Sequence, residues 1–134
     1  MVCIYCFNKT EIINSRLQKK TNQVWRRRHC TTCNGIFTTL EQADLLTSLL
    51  YKNSSGRLES FQRDILFLSV FDSLGHRKTA SSDATALTAT ILSNLSLRIK
   101  NATLERSDIV NVISAVLKRF DKAAAITYSA YHPI

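Results

Sequence analysis

The chain predicts an α+β fold in two parts: a small all-β module over residues 1–44, then a mainly helical domain over residues 45–134 with a short β-hairpin. Three observations carry this. All four cysteines lie in the first quarter of the 134 residues, as the pairs Cys3/Cys6 and Cys30/Cys33. Between and after those pairs, β-branched and aromatic residues gather in short runs broken by polar turns. From residue 60 onward, apolar residues instead recur every three or four positions, the period of a helix.

A segment of about 40 residues buries too little apolar surface to fold alone, so the first module needs disulfides or a metal as a staple. The start, Met1-Val2-Cys3-Ile4-Tyr5-Cys6, has no apolar run behind a basic one, which leads to the expectation of a reducing, cytoplasmic setting with free thiols. A Cys-x-x-Cys turn aims two sulfurs at one ion, and two such turns make the tetrahedral set that Zn²⁺ prefers. Cys3, Cys6, Cys30 and Cys33 are therefore the candidate zinc ligands, with buried free thiols as the bland alternative. Four thiolates close the coordination shell, so the zinc is expected to be structural and to leave His29 and His132 without a ligand role. The spacer from Phe7 to His29, 23 residues, runs slightly past the usual range for such sites. The module reads as a zinc ribbon with strands over Glu11–Leu17, Gln23–His29 and Ile36–Leu40. A polar turn over Gln18–Asn22 joins the first two, and Gly35 is expected at positive φ.

The net charge of +8 is placed unevenly, for residues 1–39 carry Lys9, Arg16, Lys19, Lys20, Arg26, Arg27 and Arg28 against Glu11 alone. A basic, metal-stiffened strand pair points to a polyanion, and double-stranded DNA is the expected partner. Arg16, Lys19, Lys20, Arg26, Arg27 and Arg28 are the candidate contacts. Alternation along a strand places Arg26 and Arg28 on one face, expected to be exposed, and Arg27 with Trp25 on the other. Phosphate contact or stacking is the expected role of His29. A merely solvated charged strand is the alternative. No membrane span is expected: the most apolar run, Ile65 to Leu74, is short and interrupted by Asp72.

The boundary falls near residues 42–47, as a short helix or an extended piece. A hairpin follows, with strand Leu49–Lys52, turn Asn53-Ser54-Ser55-Gly56 and return Arg57-Leu58-Glu59. A first helix begins at Ser60 as N-cap, with Phe61, Ile65, Leu68, Phe71 and Leu74 as its apolar stripe, and stops at Gly75. Ser81, Ser82 or Asp83 caps a second helix carrying Leu87, Ile91, Leu95 and Ile99. Leu104 marks a short strand. Ser107 or Asp108 caps a third helix through Ile109, Val112, Ile113, Val116 and Phe120, and Asp121 opens a last one through Tyr128 and Tyr131, ended by Pro133.

Taken together these features resemble the NrdR family of bacterial repressors of ribonucleotide reductase genes, a zinc ribbon followed by an ATP-cone. In the ribbon, the resemblance rests on Asn14-Ser15-Arg16, on Arg26-Arg27-Arg28 before the third cysteine, and on Ile36-Phe37-Thr38-Thr39-Leu40-Glu41. In the cone it rests on Leu50-Tyr51-Lys52-Asn53 to Gly56 followed by Arg57-Leu58-Glu59-Ser60-Phe61, and on the closing run Phe120 to Ser129. It implies a nucleotide-sensing, oligomer-forming ATP-cone-like domain with Lys52, Asn53, Arg57, Glu59 and Phe61 at the nucleotide, Lys52 meeting phosphate and Glu59 the adenine or ribose. The chain departs from the family pattern at Ile4 and Phe7, where Pro and Gly are usual, and at Asn53, Ile65, Ala125 and Thr127, where Arg, Lys, Tyr and Arg are usual.

The expected function is a zinc-dependent, DNA-binding transcriptional repressor, bacterial and cytoplasmic. It would be nucleoid-associated when bound to DNA, and ATP and dATP would be effectors that set the state of a homo-oligomer. The alternative keeps the DNA-binding ribbon and makes the cone an oligomerisation or partner-docking domain without nucleotide sensing. An enzyme is not expected: no nucleophile–base pair, carboxylate pair or Walker-type loop is present.

Overall fold

Two strands flanking a polar turn pair antiparallel, β1 (Thr10–Gln18) with β2 (Gln23–Cys30). β3 (Ile36–Glu41) returns along the other edge of β2, giving the order β1-β2-β3. The computed structural model describes residues 1–132, and these form two compact units, Met1–Ala43 and the chain from Asp44 onward. In the first unit a bulge between Ile12 and Asn14 resets the alternation of β1. Asn14 and Arg16 consequently lie opposite Arg27 and Trp25 and share their face. The apolar centre of this sheet is small: Cys3, Cys30 and Phe37 are buried, with Cys6 packed against them.

In the second unit, Asp44 caps the one-turn helix α1 (Leu45–Ser48), its carboxylate accepting from the Leu46 N–H, so the boundary region is helical. β4 (Leu50–Lys52) and β5 (Leu58–Ser60) form the expected hairpin, with Gly56 at φ 80° in its turn. β6 (Thr103–Glu105) joins the free edge of β4 in parallel, a pairing the sequence did not indicate. Four helices complete the unit: α2 (Arg63–Ser73), α3 (Ala80–Ser96), α4 (Arg106–Phe120) and α5 (Lys122–Tyr131). Leu74, Ile91, Leu95, Leu104, Ile113 and Leu117 are its largest fully buried apolar side chains.

The helices sit close to their expected places, but α2 turns another face inward. Leu66 and Val70 are buried, whereas Ile65, Leu68 and Phe71 are exposed. The cause is local: Phe61 is buried but precedes the helix, so a stripe counted from it is out of phase. Ser60 ends β5 and Gln62 is the N-cap. α3 starts at Ala80, ahead of the expected caps, and Ile99 falls beyond its end. α4 starts at Arg106, ahead of Ser107 and Asp108, and Phe120 is exposed. Asp121 does cap α5, accepting from the Ala124 N–H. Pro133 lies outside the described residues.

Asp121 also joins three elements. Its Oδ2 accepts from His76 Nε2 at 2.8 Å and from an Arg77 guanidinium N–H at 3.1 Å. Arg77 donates in turn to Asp83 at 2.9 Å and lies 4.7 Å over the Phe120 ring. The His76 contact, the Ala124 N–H and Arg77 hold the Asp121 carboxyl down at about 2.

Candidate metal centre, nucleic-acid interface and cavity

The two Cys-x-x-Cys segments fold into turns of one design. Cys3 donates its N–H to Asn8 O and accepts from Phe7 N–H at its carbonyl, at 2.8 and 3.0 Å. Cys30 does the same with Gly35 and Asn34, at 2.9 Å each. In each turn the residue after the second cysteine is left-handed, Phe7 at φ 61° and Asn34 at φ 59°. Positive φ was expected at Gly35, yet Asn34 carries it. Gly35 matters for another reason, because a Cβ there would stand 2.5 Å from the Tyr5 ring. That ring packs edge-on to Phe37, 6.1 Å between centroids, and closes over the second turn.

The turns bring all four Sγ atoms within 4.8 Å of one another, with Cys3–Cys33 at 3.6 Å and Cys6–Cys30 at 3.5 Å. Tetrahedral Zn²⁺ with bonds of about 2.3 Å sets its sulfurs about 3.8 Å apart, so the donor set and its spacing fit the ion. Polar groups already point at the sulfurs: Tyr5 N–H at Cys3 and Asn8 Nδ2 at Cys6. The Asn8 side chain, then its backbone, draws the Cys6 thiol down to about 6, and the Cys33 N–H lowers Cys30. Gly35 N–H pulls Cys33 down as well, but the Cys6 sulfur, burial and the other two sulfurs outweigh it and push that thiol up to about 12. Four thiolates this close need a cation among them to ionise together.

The expected alternation of the arginines holds, but their exposure is the reverse of the expectation. Arg26 and Arg28 are half-buried and engaged within the sheet. Arg26 pairs with Glu41, and Arg28 donates to Thr39 and Thr10 hydroxyls at 3.4 Å. His29, expected to meet phosphate or stack, faces Glu11 at 3.2 Å. Arg27 is exposed on the other face beside Trp25, which lies between Arg16 and Leu40 in the strand register. The side chains of Arg16, Lys19 and Arg27 make no hydrogen bond or ion pair among the described residues, so their charge is open to an anion. Lys20 is exposed at the tip of the β1–β2 turn.

The nucleotide candidates divide. Asn53, Glu59 and Phe61 line a cavity of about 570 Å³ in the second unit, between the hairpin, α2, α4 and α5. Lys52 does not line it, and pairs instead with Glu105 across β4 and β6 at 3.0 Å. Arg57 donates its backbone N–H to Asn53 Oδ1 at 2.9 Å, and its guanidinium Nε lies 3.5 Å from the Ser55 hydroxyl. Sequence reasoning missed Tyr51, Arg106, Tyr128 and His132, all on the cavity wall. Among the described residues, no helix is long and apolar enough to cross a membrane. Residues 1–41 match the family described as "Transcriptional repressor NrdR-like, N-terminal domain", a zinc ribbon, and the amino-terminal unit with its four-cysteine site fits a zinc-dependent transcriptional regulator.

Proposed function

We propose that the protein is a zinc-dependent, DNA-binding transcriptional repressor acting on ribonucleotide reductase genes. The observation that carries this reading is the four-sulfur cluster within the matched ribbon segment, joined to a sheet face that presents Arg16, Arg27 and Trp25 to solvent. The ion, held by Cys3, Cys6, Cys30 and Cys33, supplies folding energy. Contact falls to the side chains: Arg16, Arg27, Lys19 and Lys20 neutralise phosphates, while Arg26 and Arg28 brace the sheet from behind. Trp25 stands beside both open arginines, across from Arg16 and two residues before Arg27, with a flat apolar surface for sugar or base.

A single ribbon is small, so specific binding gains from several ribbons reaching one DNA together. Assembly of copies is the role proposed for the second unit. Of its two readings, ATP and dATP sensing or assembly and docking without it, the pairing of Lys52 with Glu105 favours the second, because a triphosphate needs several uncommitted cations.

The test is a gel-shift titration against duplex from upstream of a ribonucleotide reductase gene and against random duplex, at rising salt. Arg16→Ala with Arg27→Ala should weaken binding to both and lower the salt slope by roughly 2, about 0.9 per lost phosphate contact. Unchanged affinity would overturn the assigned face. Native mass with and without ATP or dATP tests assembly and separates the two readings of the second unit.

A further inference from the structure

Positive charge in the second unit gathers at one corner. Residues 44–134 carry eleven Lys and Arg against eight Asp and Glu, a net +3. Residues 76–83 with 118–122 carry five against two, the same net +3, so the rest of the unit is neutral overall. The fold makes this corner compact. The chain reverses at Asp121, which ends α4 and caps α5, so the last turn of one helix meets the first turn of the other. The loop between α2 and α3 docks at the same point, because His76 and Arg77 both donate to the Asp121 carboxylate.

Both acids of the corner are neutralised within it. Asp121 accepts from His76, Arg77 and the Ala124 N–H, and Asp83 accepts from Arg77 and, at 2.6 Å, from the Thr79 hydroxyl. The other cations have no such partner: Lys78, Lys118, Arg119 and Lys122 are exposed, and their side chains make no hydrogen bond or ion pair among the described residues. By contrast, Lys52 pairs with Glu105 and Arg98 with Asp108 elsewhere in the unit. None of the four lines the cavity.

Four open cations around a neutralised centre attract an extended anion, and their chemistry narrows which one. Three are lysines, point charges on flexible stems that meet phosphate oxygens without the planar fork of arginine. Neither segment contains an Asn or Gln to read an adenine edge. We propose that this corner of the second unit is a second, sequence-independent contact for the phosphate backbone of duplex DNA, adding affinity to a ribbon that selects the site. The proposal rests on the DNA-binding reading for its partner, but not on the face assigned to the ribbon. Each phosphate neutralised releases counterions, so losing the contact weakens binding and flattens its salt dependence.

The test compares two double variants of the zinc-loaded full chain that lose equal charge. One is Lys118→Gln with Lys122→Gln; the other is Arg63→Gln with Lys100→Gln, exposed cations outside the corner whose side chains likewise make no hydrogen bond or ion pair among the described residues. Fluorescence anisotropy with a random-sequence duplex over a salt series reads both affinity and slope. The corner pair should weaken binding at least five-fold and lower the slope by roughly 2, about 0.9 for each lost phosphate contact. The control pair should stay within two-fold of wild type. A corner loss below five-fold, an unchanged slope, a control loss as large as the corner's, or no binding by wild type overturns the proposal. Circular dichroism and zinc content check folding, and should the corner pair not fold, Lys78→Gln with Arg119→Gln carries the same expectation. Arg16→Ala with Arg27→Ala, measured alongside, reports the ribbon. Loss there with an intact corner variant sinks this proposal and leaves the ribbon's face standing, and the reverse pattern does the opposite.

Discussion

The two units are held together by different means. The amino-terminal unit buries a cluster of three side chains, two of them cysteines of the four-sulfur group, whereas the second unit buries a cluster of seventeen. Sulfur positions in the first are fixed by backbone turns, and on the proposed reading an ion supplies its folding energy. The second is stabilised by apolar area, at about 25 cal/mol per Å² removed from water. On the proposed reading, the folding of the first unit follows metal supply and that of the second does not.

The strongest way to break that contrast is to remove the metal. Chelation, or Cys30→Ser, should unfold the ribbon, because structural zinc contributes on the order of 10 kcal/mol to folding such modules. The second unit should keep its helical circular dichroism and its thermal transition. Loss of both together would show that the units do not fold separately.

A smaller effect probes the second unit alone, through Asp121. Its carboxyl is held at about 2 against an ordinary 3.8, chiefly by His76. The sign follows from linkage: a depressed folded value gives stability that is present above the unfolded value and lost as pH falls through about 2. Asp121→Asn should therefore lower Tm at pH 7 by about 5 °C, with the gap to wild type closing as pH approaches 2. A gap that persists there would assign the loss to packing. The ribbon's chelator sensitivity should not move.

How far the sequence was legible also differs between the units. Paired cysteines at fixed spacing and the runs of β-branched residues placed the ribbon's strands within a residue or two, since turn geometry and alternation are local rules. The exposure of the arginines was not local: Arg26 and Arg28 are engaged because Glu41, Thr39 and Thr10 lie opposite them on neighbouring strands. In the helical unit, α2 is apolar all round, with Ile65, Leu66, Phe67, Leu68, Val70 and Phe71, so period alone offered two stripes and packing chose between them. Lys52 illustrates the same limit at the candidate site. It sits where a phosphate contact was expected, but β6 pairs in parallel with β4 and delivers Glu105 to it, and nothing near residue 52 announces that strand. Arg106 and His132 carry no motif, and only the fold brings them to one wall.

The finest test concerns the two cysteine turns, which share a backbone but carry different residues at the left-handed position. Asn34 occupies its left-handed site at little cost, because Asn tolerates that region. Phe7 occupies the equivalent site at φ 61°, where a Cβ meets the following carbonyl, and its side chain is 77% exposed and gains little in return. For an ordinary L-residue that conformation costs roughly 1–2 kcal/mol, while glycine adopts it freely and gives back part of the gain as chain entropy. Phe7→Gly should therefore stabilise the zinc-bound ribbon by about 1 kcal/mol, seen as roughly five-fold tighter zinc retention in competition with a chelator. Phe7→Asn should recover much of the same gain, since it reproduces the second turn. Unchanged retention in both variants would break the equivalence of the turns and show that the exposed Phe7 ring compensates its own strain.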